Sequence, residues 1–71
     1  MEKDIFTKKL AKRIAKVRQE QELTQVEFGK LLNKSKSNIH RLESGTVTPT
    51  AYSVYEIARV LKVPVGELME I

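Results

Sequence analysis

Between Ser35 and Ser44 the chain reads Ser-Lys-Ser-Asn-Ile-His-Arg-Leu-Glu-Ser. Only Ile39 and Leu42 in this stretch are large and apolar, and they stand three residues apart. As a helix the stretch has those two anchors on one face. Lys36, Ser37, Asn38, His40, Arg41 and Ser44 must then lie on or near the surface. A helix exposing Lys, Ser, Asn, His and Arg displays donors and acceptors suited to base edges and phosphates. It is also narrow enough to enter a duplex major groove, about 12 Å wide.

Bond-making chemistry finds no matching set of residues. His40 is the only histidine and there is no cysteine, so a metal site has no ligands to draw on. His40 is assigned to groove or phosphate contact, with inert surface as its bland alternative. One histidine supports no Ser-His-Asp set, and neither a Gly-rich phosphate loop nor paired carboxylates are present. A chain of 71 residues has little room for a pocket of about 300 Å³. No catalytic residue, cofactor, metal or small-molecule ligand is expected.

Charge is distributed in blocks. The net charge is +4, made of +5 over residues 1–18, −3 over 19–29, +4 over 30–41 and −2 over 42–71. Basic blocks of this kind suit a polyanion; a solvated helical surface is the bland reading. Basic amphipathic helices also bind membrane surfaces, but the apolar face of the first helix is needed for the core of so small a domain. There is no run of 18 apolar residues to span a bilayer. Met1-Glu2-Lys3-Asp4 is charged and leads into no apolar signal segment. The expected location is the cytoplasm, at the nucleoid of a prokaryote or phage-infected cell.

The elements that must carry the polar helix are legible from periodicity and punctuation. Phe6, Leu10, Ile14 and Val17 mark one face of a first helix, expected from about Asp4, its N-cap, to Gln21. Thr24 followed by Glu27 has the capping-box arrangement, and Leu23 with Phe28 can form a hydrophobic staple. The second helix carries Val26, Phe28, Leu31 and Leu32 and stops at Asn33, which tolerates a left-handed backbone. Ser35 caps the third helix, and Gly45 ends it. Pro49, at or near the first helical position, opens a fourth helix with Val54, Ile57, Ala58 and Leu61 inward. Tyr52 and Tyr55 flank that face, with core edge, phosphate contact and dimer contact all open to them. Pro64 separates a last short helix bearing Val65, Leu68 and Ile71. The expectation is one all-α domain over residues 1–71, with five short helices and a helix-turn-helix at about residues 24–44.

The stretch Leu23-Thr24-Gln25, then Phe28-Gly29, Leu31-Leu32, Ser35, Ile39, Arg41-Leu42-Glu43, Gly45 and Pro49 resembles the Cro/phage-repressor (XRE-type) helix-turn-helix family. The likeness runs from about Ile14 to Leu68 and implies a lambda-repressor-like DNA-binding domain. It implies that Gln25 braces a phosphate and the first base-contacting side chain, and that Lys36 and Ser37 are the main base readers. Arg41, one turn beyond Ser37, reaches a further base or a phosphate. Asn38 and the loop from Thr46 to Thr48 match phosphate-contacting positions. Thr24, Ser35 and His40 complete the expected DNA-facing set. Arg18 and Glu43 match a partly buried ion pair between the first and third helices. Three positions depart from the family: Glu22 and Asn33 stand where Gly is usual, and Gly29 where Ala is usual.

These readings converge on a sequence-specific transcriptional repressor that binds a palindromic operator in double-stranded DNA as a homodimer. Tyr55, Val63, Met69 and Ile71 exceed what one inner face needs and are the expected dimer interface. With no effector segment after the helix-turn-helix, control is expected from concentration, competition or a partner. The competing class is a protein-interaction module, an antitoxin or adaptor built on the same fold.

Overall fold

The computed structural model describes residues 1–71 and contains five helices. The first, α1 (Lys3–Glu20), has its N-cap at Glu2, two residues ahead of the expected cap, Asp4. Glu2 is already extended, and its carbonyl accepts the Phe6 N–H at 2.9 Å. Asp4 therefore lies in the first turn, where its charge complements the helix dipole. The stripe facing inward is Thr7, Leu10, Ala11, Ile14, Val17 and Arg18; Phe6 is only half-buried.

Helix α2 (Gln25–Leu32) opens on a complete capping box. The Thr24 hydroxyl accepts the Glu27 N–H at 3.0 Å, and the Glu27 carboxylate accepts the Thr24 N–H at 2.8 Å. The Thr24 backbone N–H first, and the Thr24 side chain second, hold the Glu27 carboxyl below its ordinary value of 4.5. Asn33 ends the helix in the left-handed region, at φ 58°. Phe28 is fully buried, whereas Val26 and Leu31 face outward.

Helix α3 (Lys36–Ser44) begins after Ser35, whose Oγ accepts the Asn38 N–H, and ends at Gly45 with φ 78°. Helix α4 (Ala51–Leu61) starts later than Pro49 suggests. Thr50 is its N-cap because a threonine hydroxyl can accept the Ser53 N–H, at 3.1 Å, which proline cannot do. Pro49 lies just before the cap. Helix α5 (Val65–Leu68) follows Pro64.

Helix α1 lies against α3, α4 and α5, while α2 lies against α3 and α4. The interior joins Leu10, Ile14 and Val17 of α1 to Phe28, Ile39, Leu42, Val54, Ile57, Ala58, Leu61 and Leu68. Burying each of the large side chains contributes about 1.5–3 kcal/mol. Every buried side-chain nitrogen and oxygen has a partner. None of the helices is long and apolar enough to cross a membrane.

All three departures from the family have a geometric outcome. Glu22, like Asn33, has φ 58°, the conformation for which glycine is the usual choice. At Gly29 a Cβ would come within 2.6 Å of the Lys34 carbonyl oxygen and 3.3 Å of Ile39 Cγ1. The turn between α2 and α3 thus packs directly onto the α2 backbone, and the Lys34 N–H donates to the Gly29 carbonyl at 2.7 Å.

Candidate nucleic-acid interface

Helix α3 is anchored by Ile39, with no exposure, and Leu42, at 8%. Lys36, Ser37, Asn38, His40, Arg41 and Ser44 are exposed, as the sequence requires. Asn38 and Arg41 are tied together, the Arg41 Nη2 donating to Asn38 Oδ1 at 2.6 Å. Lys36, Ser37 and His40 make no side-chain bond within the molecule and keep their full capacity for a ligand.

The flanking polar residues are placed by bonds of their own. Thr24 and Ser35 spend one acceptor position each on the caps of α2 and α3. The Ser44 hydroxyl bonds the Arg41 carbonyl at 3.0 Å and the Thr46 hydroxyl at 2.7 Å. The Thr48 hydroxyl bonds Thr7 of α1 at 2.7 Å, so it arrives at any phosphate with part of its capacity used. This loop is further fixed where Gly45 passes over α1: a Cβ there would stand 3.2 Å from the Lys8 Cα.

The ion pair implied for Arg18 and Glu43 is present and nearly closed to solvent, at 9% and 6% side-chain exposure. Its geometry is a two-pronged fork, Nε to Oε2 at 2.6 Å and Nη2 to Oε1 at 2.9 Å. The third nitrogen, Nη1, donates to the Leu23 carbonyl at 2.6 Å. Planar guanidinium suits this fork as an ammonium does not. Gln25, half-buried, adds its Nε2 to Glu43 Oε1 at 3.1 Å. One carboxylate therefore joins α1, the start of α2 and α3.

Besides the Gln25–Glu43 bond, contacts of three further residues have no counterpart in the sequence reading. Thr7 is buried at 5% and holds Thr48; a threonine three residues before Leu10, on the same helical stripe, was the available signal. Arg13 donates its Nε to the Glu67 carbonyl at 2.8 Å and lies 3.4 Å from the Glu70 carboxylate. Gln21 donates to the Leu61 carbonyl. No sequence signal points to these last two.

The residues assigned to a dimer interface divide. Tyr55 and Met69 are exposed, at 54% and 41%. Val63 and Ile71 are partly buried against the monomer's own core, so they are not surplus to it. Tyr52 and Tyr55 stack at 6.3 Å between ring centres and both face solvent, which removes the core-edge role left open for them.

A helix-turn-helix family model matches residues 14–68, from the second half of α1 through α5. The chain belongs to that family. The match has the extent of the Cro/phage-repressor likeness and places the protein among DNA-binding helix-turn-helix regulators. A comparison with curated proteins finds no match. Residues 1–13 lie outside the family match, yet they supply Thr7 and Arg13, which hold the loop after α3 and the segment at α5.

Proposed function

We propose that this helix-turn-helix protein is a transcriptional repressor that reads a palindromic operator as a homodimer. Helix α3 enters the major groove, Lys36 and Ser37 meet base edges, and His40 and Arg41 extend the contact along the groove. Asn38, Gln25, Thr24, Ser35, Thr46 and Thr48 meet the sugar–phosphate backbone on either side. Repression follows from occupancy, since a bound domain excludes other proteins from the same stretch of duplex. The protein acts at the nucleoid, in the cytoplasm.

The observation that carries the reading is the composition of α3's exposed face. Lys36, Ser37 and His40 are unpaired and exposed on a helix rigidly held by Ile39 and Leu42. A face left this polar, on a segment of net charge +4 over residues 30–41, suits a polyanion that also carries hydrogen-bonding edges.

Selection of bound duplexes from a random pool tests it. The expected product is an inverted repeat with half-site centres about one helical turn, 34–36 Å, apart. A pool that fails to enrich any motif contradicts sequence-specific binding, and a single unrepeated half-site contradicts the dimer.

A further inference from the structure

The Glu43 carboxylate does more than close an ion pair. Its Oε1 accepts two bonds, from Arg18 Nη2 at 2.9 Å and from Gln25 Nε2 at 3.1 Å. We propose that Glu43 is a positioning residue for DNA contact, fixing the Gln25 side-chain amide in the orientation it presents to the duplex. The proposal rests on reading Gln25 as a DNA-contacting residue.

Gln25 is the first residue of α2, so its backbone is set by the Thr24–Glu27 capping box. Its side chain still has three rotatable bonds, and ordering them at the moment of binding subtracts from affinity. The bond to Glu43 orders them beforehand. It also decides which end of the amide faces which way. A carboxylate only accepts, so an amide turned over would set oxygen against oxygen. Nε2 must face Glu43. That leaves the second N–H and the amide oxygen of Gln25 for outside partners. The N–H suits a phosphate oxygen, and the oxygen suits a donor such as the Lys36 ammonium.

Glu43 is in turn held where it is by the Arg18 fork and by burial, at 6% side-chain exposure. Arg18 is itself fixed by the Leu23 carbonyl, two residues before Gln25 in the chain. The orientation of one DNA-facing side chain is therefore set by a closed network through α1, α2 and α3. This gives the ion pair a role in recognition that a bond between α1 and α3 alone would not have.

Side-chain amide relaxation in the free protein tests the first half of the proposal without any substitution. Gln21, bonded to the Leu61 carbonyl, and exposed Gln19 serve as internal references. The Gln25 amide should be ordered like that of Gln21. If it moves as freely as Gln19, the proposal is overturned. Affinity for a mixed-sequence duplex at low salt tests the second half. Glu43→Gln, confirmed folded by circular dichroism, should weaken binding by about two- to tenfold, the worth of one ordinary hydrogen bond. In a Gln25→Ala background the same substitution should have almost no further effect. An equal loss in both backgrounds would mean that Glu43 acts only on the fold and would overturn the proposal. If Glu43→Gln does not fold, the wild-type relaxation measurement decides alone. A wild type that does not bind the duplex at all would remove the premise about Gln25 instead, and the amide order would still report whether Glu43 holds it.

Discussion

Lys36 and Ser37 stand in the first turn of α3 with no internal partner, next to Ser35, which is occupied as a cap. Free side chains at the leading end of a groove-entering helix can commit to base edges. A side chain already bonded within the loop, such as Thr46, has part of its capacity used and matches a phosphate-contacting position. Substitutions should therefore fall into two classes. Lys36→Ala is expected to relax the selected motif at one position, by about 1–3 kcal/mol if the contact is bidentate. Thr46→Ala should weaken all sequences alike. Motif selection repeated with each variant separates the two, and an unchanged motif for Lys36→Ala would place the reading face elsewhere on α3.

Local geometry in this chain is decided by single residues, and Gly29 inside α2 and Glu22 after α1 both depart from the commoner choice. Gly29 allows the turn into α3 to rest on α2, since a Cβ would meet the Lys34 carbonyl oxygen at 2.6 Å. Gly29→Ala gains about 1 kcal/mol of helix propensity but forces this backbone contact apart, which costs about 1–3 kcal/mol. The net effect should be a lower melting temperature, measured calorimetrically. Glu22 takes φ 58° with a full side chain, a conformation that costs a non-glycine residue roughly 1–2 kcal/mol. Glu22→Gly removes that strain and loosens the unfolded chain by less, so it should melt higher. The capping box adds a pH dependence. Glu27 is held below its ordinary value of 4.5 by the Thr24 backbone and side chain. A lowered folded value gives stability that is present above the ordinary value and lost as pH falls through the folded one. Acid titration of wild type and Glu27→Gln should show a steeper decline below about pH 4.5 for the wild type. The same local rules explain what was readable beforehand. The ends of α2 and the limits of α3 are legible because Thr24 with Glu27, and Ser35, satisfy backbone groups three residues away, and Asn33 and Gly45 take the left-handed backbone that ends a helix. The start of α1 is not legible to the residue because Glu2 caps through its backbone alone, with no side-chain bond to announce it. At α4 two plausible starters, Pro49 and Thr50, stand side by side. The polar face of α3 was legible from composition, whereas Thr7–Thr48, Arg13–Glu67 and Gln25–Glu43 span 41, 54 and 18 residues. Such pairs are set by how helices cross, which no local pattern encodes.

At the scale of the whole molecule, charge is segregated along the chain. The basic residues concentrate in α1 and in the stretch from Lys30 to Arg41, while residues 42–71 carry a net charge of −2. Binding should be strongly salt-dependent, with affinity falling about 10³–10⁵-fold between 50 and 200 mM salt if a dimer neutralises roughly 6–10 phosphates. A flat titration would contradict the polyanion reading. Residues 42–71 add no net positive charge to that attraction, and they carry Val47, Tyr52, Tyr55, Val65 and Met69 among the outward apolar groups, beside Met1, Ile5, Val26 and Leu31 elsewhere. Val65 and Met69 are each 41% exposed and border a shallow apolar groove floored by Leu10 and Val54. Tyr55 stacks on Tyr52 in solvent. Val63 and Ile71 are half-covered by the monomer, so the proposed dimer contact would rest on Tyr55 and Met69, with Val65 added and the other two at its margin. In the proposed arrangement one α3 would read only a few base pairs, too few for useful specificity among the competing sites of a genome. A two-fold pair doubles the site and sets both reading helices on one face of the duplex. Covering Tyr55, Val65 and Met69 also stabilises a domain whose small size leaves little margin. Sedimentation at micromolar protein should show a dimer, more fully so with a selected operator present. Met69→Glu, which puts a charge into the proposed contact, should yield monomers with an unchanged circular dichroism spectrum and weakened operator binding. A wild type that saturates a single half-site as a monomer would eliminate the paired arrangement.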